Sequence, residues 1–187
     1  HGFNFADLTG VVRAFSKLNV VVMGDLIVDE YINCDALGMS QEDPTIVVTP
    51  IRNDKFVGGA GIVAAHARGL GAKVRYLCVT GNDATSVFAK EKLEHYKVDS
   101  KFIVDDSRPT TLKQRFRASG KTLLRVSHLR QHDISLELAD HLFAAVADAL
   151  VECHLMVFSD FNYGCLPQGL IERVAAYCKE KKIMMVA

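Results

Sequence analysis

Two carboxylates lie at and just beyond the end of an apolar segment near the start of the chain. Residues 18–23 form an apolar run (LNVVVM) with Asn19 as its one polar residue, which Gly24 and Asp25 close, and Asp29 follows four residues later. Such a run predicts a buried parallel strand, and ligands of open α/β sheets bind at the carboxyl ends of these strands. An ionised Asp there can accept hydrogen bonds from two ligand hydroxyls, although an isolated Gly-Asp pair more often only caps a turn.

A glycine-rich segment, residues 57–61 (VGGAG), precedes a helix predicted over residues 60–70. Glycine lets the backbone approach a ligand closely, and the amino terminus of a helix offers unpaired N–H groups. Gly58 and Gly59 are therefore candidate binding residues.

The same glycines also match a second motif. Gly59-x-Gly61-x-x-Ala64 fits the dinucleotide-binding fingerprint, with Asp83 at about the expected distance downstream. An NAD(P)-dependent oxidoreductase of the Rossmann type is therefore an alternative. The preceding residues (RNDKFV) are polar, which is unfavourable for the buried central strand that this motif follows.

The third candidate is a basic segment in a chain whose formal net charge is zero. Residues 108–130 contain no acid and several basic side chains: Arg108, Lys113, Arg115, Arg117, Lys121, Arg125 and Arg130. At the two-residue period of a strand, Lys113, Arg115 and Arg117 share one face, which suits a phosphate or another anion. A solvated lid strand, whose charges prevent edge-to-edge aggregation, explains the pattern equally well.

Two further sets of side chains could contact a ligand or a metal ion. Asp160 follows the apolar residues 154–158 (HLMVF), so it either faces the same crevice as Asp25 or caps the next helix. His128 and His132 have metal-compatible spacing on a helix, but they lie where a strand is predicted to end in a loop. Because no third ligand accompanies them, we expect no metal site.

The elements that must position these residues alternate between strands and helices. Strands are predicted over residues 18–23, 73–80, 154–158 and 183–187, and helices over 60–70, 84–95, 135–150 and 167–181. This alternation predicts an α/β fold, a parallel sheet with flanking helices. Two segments do not fit this alternation, residues 27–57 and residues 109–127. The second is predicted to contain a hairpin turn near residues 119–120. We place both on a small separate β sheet, a lid.

Composition limits the partners and the location. The zero net charge argues against nucleic acid and anionic membranes as partners, and no apolar run approaches the ~20 residues of a membrane span. Five scattered cysteines without a Cys-x-x-Cys pair predict reduced thiols in a cytoplasmic protein. The chain stops inside an apolar strand, so we expect a fragment of a longer fold.

Together these features resemble the PfkB (ribokinase-like) carbohydrate kinase family. Residues 58–60, Ala64, Gly71 and Gly81 fit the spacing of that family's first signature. The most similar branch is the heptose-7-phosphate kinases, often fused in bacteria to an adenylyltransferase for ADP-heptose synthesis in lipopolysaccharide formation. The segments that carry this similarity are VVMGDLIVDEY, GGAGIVAAHARGLGAKV, TGND, RPTTLKQRFRA, LLRVS and SDFNYG.

Two positions depart from the pattern. Ile62 stands where the family usually has an Asn that helps to hold the sugar, and Tyr163 stands where the heptose-kinase branch usually has a Lys. These departures motivate a third hypothesis, a non-catalytic protein that binds a sugar phosphate.

The resemblance implies transfer of the ATP γ-phosphate to a sugar hydroxyl, with Mg²⁺. The family's base lies in a Gly-Ala-Gly-Asp motif, which these 187 residues lack. We therefore expect the amino-terminal, sugar-binding half of a kinase domain, without catalytic residues and inactive alone. The expected contacts to a sugar or sugar phosphate are Asp25, Asp29, Gly58, Gly59, Lys113, Arg115 and Asp160.

The lid is also expected to pair two copies of the protein. One of its faces is predicted to be apolar, formed by Leu112, Phe116, Leu124 and Val126. An apolar face that extends from a core needs cover, and ribokinase-like relatives often form homodimers through such lids.

Overall fold

The computed structural model describes residue 2 and residues 4–187. The helices are α1 (Phe5–Ala14), α2 (Gly59–Gly69), α3 (Ala84–His95), α4 (Leu136–Ala149) and α5 (Gln168–Lys181), with a 3₁₀ turn at Phe15–Lys17. The strands are β1 (Asn19–Gly24), β2 (Leu26–Met39), β3 (Ile46–Gly58), β4 (Lys73–Thr80), β5 (Asp99–Val104), β6 (Thr111–Ala118), β7 (Lys121–His128), β8 (Leu155–Ser159) and β9 (Met184–Val186). No described helix is long and apolar enough to cross a bilayer.

The core is a parallel sheet with strand order β5-β4-β1-β8-β9 and flanking helices, which confirms the predicted fold class. Apolar side chains from the strands and from α4 and α5 are completely buried against each other: Val22, Met23, Leu77, Leu142, Val146, Met156 and Val174. The apolar run that predicted β1 is explained by this position, since a central parallel strand is covered on both faces.

A second sheet with order β3-β2-β6-β7 forms the lid, defined from here on as these four strands. Both segments assigned to a separate sheet are in it, and β6 turns into β7 at Ser119 and Gly120, as predicted. Their φ angles of 50° and 77° are both positive, as in the tight turns that match the twist of a hairpin. Only Asp25 separates β1 of the core from β2 of the lid.

Within the lid, β2 and β6 pair in parallel, whereas the other two strand pairs are antiparallel. The two strands are far apart in the sequence, so no turn signal marks their pairing. Two elements were not predicted at all. β5 (DSKFIV) is a short edge strand whose first three residues are polar, and α1 begins at a capping box formed by Asn4 and Asp7.

The Rossmann alternative is wrong on structural grounds. A dinucleotide fingerprint follows a parallel strand in the centre of a sheet. Here the glycine segment follows β3, which pairs antiparallel with β2 in the lid. Gly59, Gly61 and Ala64 therefore lie in the first two turns of α2, which follows a lid strand, and they do not form the turn of a βαβ unit.

Candidate functional site

Asp25 occupies the junction between the core and the lid, at the carboxyl end of β1. It is 3% exposed, and its carboxylate accepts N–H bonds from Phe161 (2.8 Å), Tyr163 (3.3 Å) and Cys165 (3.2 Å). Burial raises the pKa of Asp25; the three N–H groups oppose this rise, and the nearby charge of Asp160 adds to it. A carboxylate has roughly four acceptor positions, so about one remains for a ligand hydroxyl rather than the two expected.

The glycine turn packs directly on this junction. Gly59 has a φ of 56°, and a Cβ there would lie 2.4 Å from the carbonyl oxygen of Asp25. The next N–H, of Ala60, donates to that same oxygen at 2.9 Å. A Cβ on Gly58 would lie 2.5 Å from the Asp29 carboxylate. The structure thus brings Asp25, Asp29 and both glycines together, although their role in binding stays a prediction.

Lys113, Arg115 and Arg117 lie on one face of the lid, as the strand period predicted. Their register partners on β2 are Asp29, Tyr31 and Asn33 respectively. Arg125 lies directly opposite Arg115, which settles a register that the sequence left open. We call this surface the basic face.

The basic face contains an ion pair that the sequence reasoning did not anticipate. The guanidinium of Arg115 hydrogen-bonds to Asp29, and this bond raises the pKa of Arg115. Arg115 and Arg117 also lie over the ring of Tyr31, with guanidinium-to-centroid distances of 5.2 and 5.8 Å. Arg115 is therefore partly neutralised before any ligand arrives, whereas we had expected it to be free.

Lys113 makes a different contact. Its ammonium lies 5.0 Å from the centroid of the Tyr163 ring, in the loop after β8. This contact joins the lid to the core beside Asp25, because the backbone N–H of Tyr163 is one of the donors to that carboxylate. Ile62, the other departure from the family pattern, lies half-buried on α2.

Asp160 is exposed at the carboxyl end of β8. Its carboxylate accepts the N–H of Asn162 at 2.7 Å and so closes a turn in the loop. The expectation that Asp160 caps the following helix is wrong, since α5 begins only at Gln168. Its influence on the pKa of Asp25 places it near the same junction.

Arg108 is a structural residue that the sequence analysis counted in the basic segment 108–130. It is 8% exposed and pairs with Asp105 at 2.7 Å. It also donates to the carbonyls of Tyr163 (2.9 Å) and His132 (2.8 Å). Arg108 thus ties three loops together behind the site, and the acidic residue three positions earlier was the only sequence signal for it.

Glu30 is a second charged residue that was missed. It is 3% exposed on the lid face opposite the basic face. Its carboxylate accepts hydrogen bonds from Asn53 and from Gln114, the latter at 2.7 Å, and pairs with Lys55 at 3.4 Å. Burial alone would raise the pKa of Glu30, but these partners outweigh it and the pKa is lowered.

The apolar residues predicted to cover one lid face do lie on the same side as Glu30. Phe116 is opposite Leu124, and Val126 is opposite Gln114, the partner of Glu30. Leu124 is 56% exposed, so this face is incompletely covered by the chain itself.

No group of three or more His, Cys, Asp or Glu side chains within the described part of the chain is placed to hold a metal ion. His128 and His132 have separate partners, Gln114 and Arg108.

The comparisons with known proteins agree with this architecture. The family model described as pfkB family carbohydrate kinase matches residues 17–187. This chain belongs to the pfkB family. Its relatives include two proteins named bifunctional protein HldE. That of Desulfatibacillum aliphaticivorans is 31% identical over 90% of this chain, and that of a Campylobacter jejuni strain is 32% identical over 89%. This pfkB chain spans 35% of the length of each.

Solved structures show the same fold. A carbohydrate kinase from Agrobacterium tumefaciens matches 90% of this pfkB chain with a TM-score of 0.67 and 14% identity. Arabidopsis thaliana ribokinase, solved with ribose and ATP, matches 90% with a TM-score of 0.62 and 14% identity. The chain covers 52% of each of these structures. The ribokinase-like resemblance drawn from the sequence motifs is thereby confirmed.

Proposed function

We propose that the full-length protein is a kinase that transfers the γ-phosphate of ATP to a hydroxyl of a sugar phosphate, of the heptose-7-phosphate type. The observation that carries the proposal is the position of Lys113 on the basic face, at the contact between lid and core beside Asp25. A sugar that already bears a phosphate needs such a cation, remote from the reacting hydroxyl. The similarity to proteins named bifunctional protein HldE supports this substrate class.

The site residues would divide the substrate between them. Asp25 accepts one sugar hydroxyl with its remaining acceptor position, and Asp29 accepts a second while it orients Arg115. Gly58 and Gly59 let the sugar approach the backbone, since any side chain there would collide with Asp29 or Asp25. Asp160 lies at the edge of the same cleft.

Lys113 and Arg115 would then hold the phosphate already on the sugar. Lys113 offers three N–H donors, and Arg115 can share its planar fork between Asp29 and a phosphate oxygen. Positioning of this kind is the principal contribution that a protein makes to phosphoryl transfer.

Parts of the protein outside these residues would bind ATP and Mg²⁺ and would supply the catalytic base. The chain contains no Gly-Ala-Gly-Asp motif and spans about a third of the relatives' length. We therefore propose that these 187 residues alone bind the sugar phosphate weakly and do not turn over ATP. Five free cysteines support a cytoplasmic location, and the half-covered apolar lid face supports a homodimer through the lid.

The decisive experiment compares two acceptors with the full-length protein, heptose 7-phosphate and free heptose. The wild type should prefer the phosphorylated sugar. In the double variant Lys113→Ala, Arg115→Ala this preference should fall by roughly a hundredfold or more, because each of the two lost charged hydrogen bonds costs about 1.5–3 kcal/mol. The KM for ATP should not change.

The matched control is Lys121→Ala, Arg130→Ala, which removes two exposed basic residues of the same segment. It should retain the preference. Equal kcat/KM for the two acceptors in the wild type would refute the phosphate anchor, and binding of the sugar phosphate without any turnover would favour the non-catalytic alternative.

A further inference from the structure

Tyr163 joins the loop after β8 to the lid through its contact with Lys113. The ammonium of Lys113 lies 5.0 Å from the ring centroid, within the range of a cation–π attraction. The ring belongs to the core and the ammonium to the lid, so this contact bridges the two sides of the candidate site.

The backbone around Tyr163 is fixed from three directions. Its N–H donates to Asp25 at 3.3 Å, and its carbonyl accepts from Arg108 at 2.9 Å. The following residue, Gly164, has a φ of 82°, and a Cβ there would lie 2.0 Å from the carbonyl oxygen of His132. Because the main chain is held on both sides, the loop keeps the half-buried ring of Tyr163 beside the lid.

Lys113 and Arg115 are held by partners of different charge. Arg115 is paired with the carboxylate of Asp29. Within residues 4–187, no carboxylate lies within 4.0 Å of the Lys113 ammonium. A neutral ring contacts the ammonium without cancelling its charge, and the ammonium N–H donors directed away from the ring stay free for an anion.

We propose that Tyr163 is a specificity-determining positioning residue, which holds the Lys113 ammonium in place for the phosphate of the acceptor. The proposal rests on the kinase function argued above. A Lys at this position, as the heptose-kinase branch usually has, would place a second cation beside Lys113. Tyr163 removes that repulsion and one positive charge. The phosphate is then bound by Lys113, whose position is fixed by an aromatic ring, and by Arg115, whose charge is partly offset by Asp29.

The test is a double-mutant cycle on the full-length protein, with the Kd of heptose 7-phosphate measured by calorimetry. Tyr163→Leu should weaken binding about tenfold, the size of a partly desolvated cation–π contact. Tyr163→Phe keeps the ring and should stay within about twofold of the wild type. In a Lys113→Ala background, Tyr163→Leu should have no further effect, because the residue acts through Lys113.

A tenfold loss that persists in the Lys113→Ala background would overturn the proposal, since Tyr163 would then act independently of Lys113. Unchanged affinity in Tyr163→Leu, or absence of sugar-phosphate binding by the wild type, would also overturn it. The outcomes also distinguish this proposal from the kinase proposal on which it rests. Binding that shows the coupling but no phosphoryl transfer would refute the kinase proposal alone, whereas transfer without coupling would refute only the role of Tyr163.

Discussion

The core sheet and the lid differ in the kinds of side chain that they bury, although a single residue separates them along the chain. In the core, Val22, Met23 and Leu77 are completely buried among other apolar side chains. In the lid, the most buried charged residue is Glu30, and the basic face carries an ion pair between Asp29 and Arg115. The core is stabilised by burial of apolar surface, whereas the lid combines buried apolar residues of β2, such as Val28, with paired polar groups.

This difference indicates how stability and recognition are divided. A parallel sheet covered on both faces has no side chains to spare for a ligand, except where its strands end. The lid presents charged side chains on one face and a half-covered apolar surface on the other. Asp25 and Arg108 lie where the two regions meet, and their polar contacts hold the loops of the core against the lid.

The largest loss of stability is expected from Arg108→Ala, at the junction of the core and the lid. This substitution would leave one oxygen of the buried Asp105 carboxylate and two loop carbonyls without their donor, while Ser107 still donates to the other oxygen. Removing one partner of a buried pair costs about 3–5 kcal/mol, so the free energy of unfolding in urea should fall by that amount. Arg130→Ala, in an exposed position of the same segment, should change it by less than about 0.5 kcal/mol. An equal change in the free energy of unfolding for the two variants would show that Arg108 does not hold the loops together.

A pair of leucines compares the two regions directly. Leu142→Ala in α4 removes a completely buried side chain and should cost about 2–5 kcal/mol of unfolding free energy. Leu124→Ala in the lid removes one that is 56% exposed, and in dilute protein it should cost less than about 1 kcal/mol. Its larger effect should be on the proposed homodimer, measured by light scattering. A wild-type protein that stays strictly monomeric would contradict the dimer.

The smallest expected effect concerns Glu30 and pH. Because its partners lower its pKa below the usual 4.5, the ionised carboxylate stabilises the fold above about pH 4.5, and this contribution is lost as pH falls through the lowered value. Glu30→Gln should cost about 1 kcal/mol at pH 7, and the difference from the wild type should shrink under acid conditions. Urea unfolding at several pH values measures this, with the exposed Glu91→Gln as control. A difference that is independent of pH would show that the charge of Glu30 is unimportant.

Much of the fold was predictable from local patterns. The apolar runs that became β1 and β8, and the helical stripes that became α4 and α5, reflect burial that each segment shows by itself. The lid was recognised because residues 27–57 and 109–127 did not fit that alternation. The edge strand β5 was missed because an exposed edge carries a weak apolar signal.

The candidate site was only partly predictable, for a reason visible in its side chains. The sequence placed Lys113 and Arg115 on one face, since a strand alternates with period two. It could not reveal that Arg115 meets Asp29, because that pair depends on the register between β2 and β6. The same limit applies to Arg108, because two of its partners, His132 and Tyr163, belong to loops distant in the sequence.

The parallel pairing of β2 with β6 also has a consequence for the protein's synthesis. Glu30 and its partner Gln114 are 84 residues apart, so at roughly 5–20 residues per second the ribosome needs about 4–17 s to supply the second strand. During that time the β2–β3 hairpin exposes an open edge to other nascent chains. Asp29 and Glu30, adjacent in the middle of that edge, are the kind of charges that discourage intermolecular strand pairing. The acids that later orient Arg115 and Gln114 would thus first serve to keep an unfinished protein from aggregating.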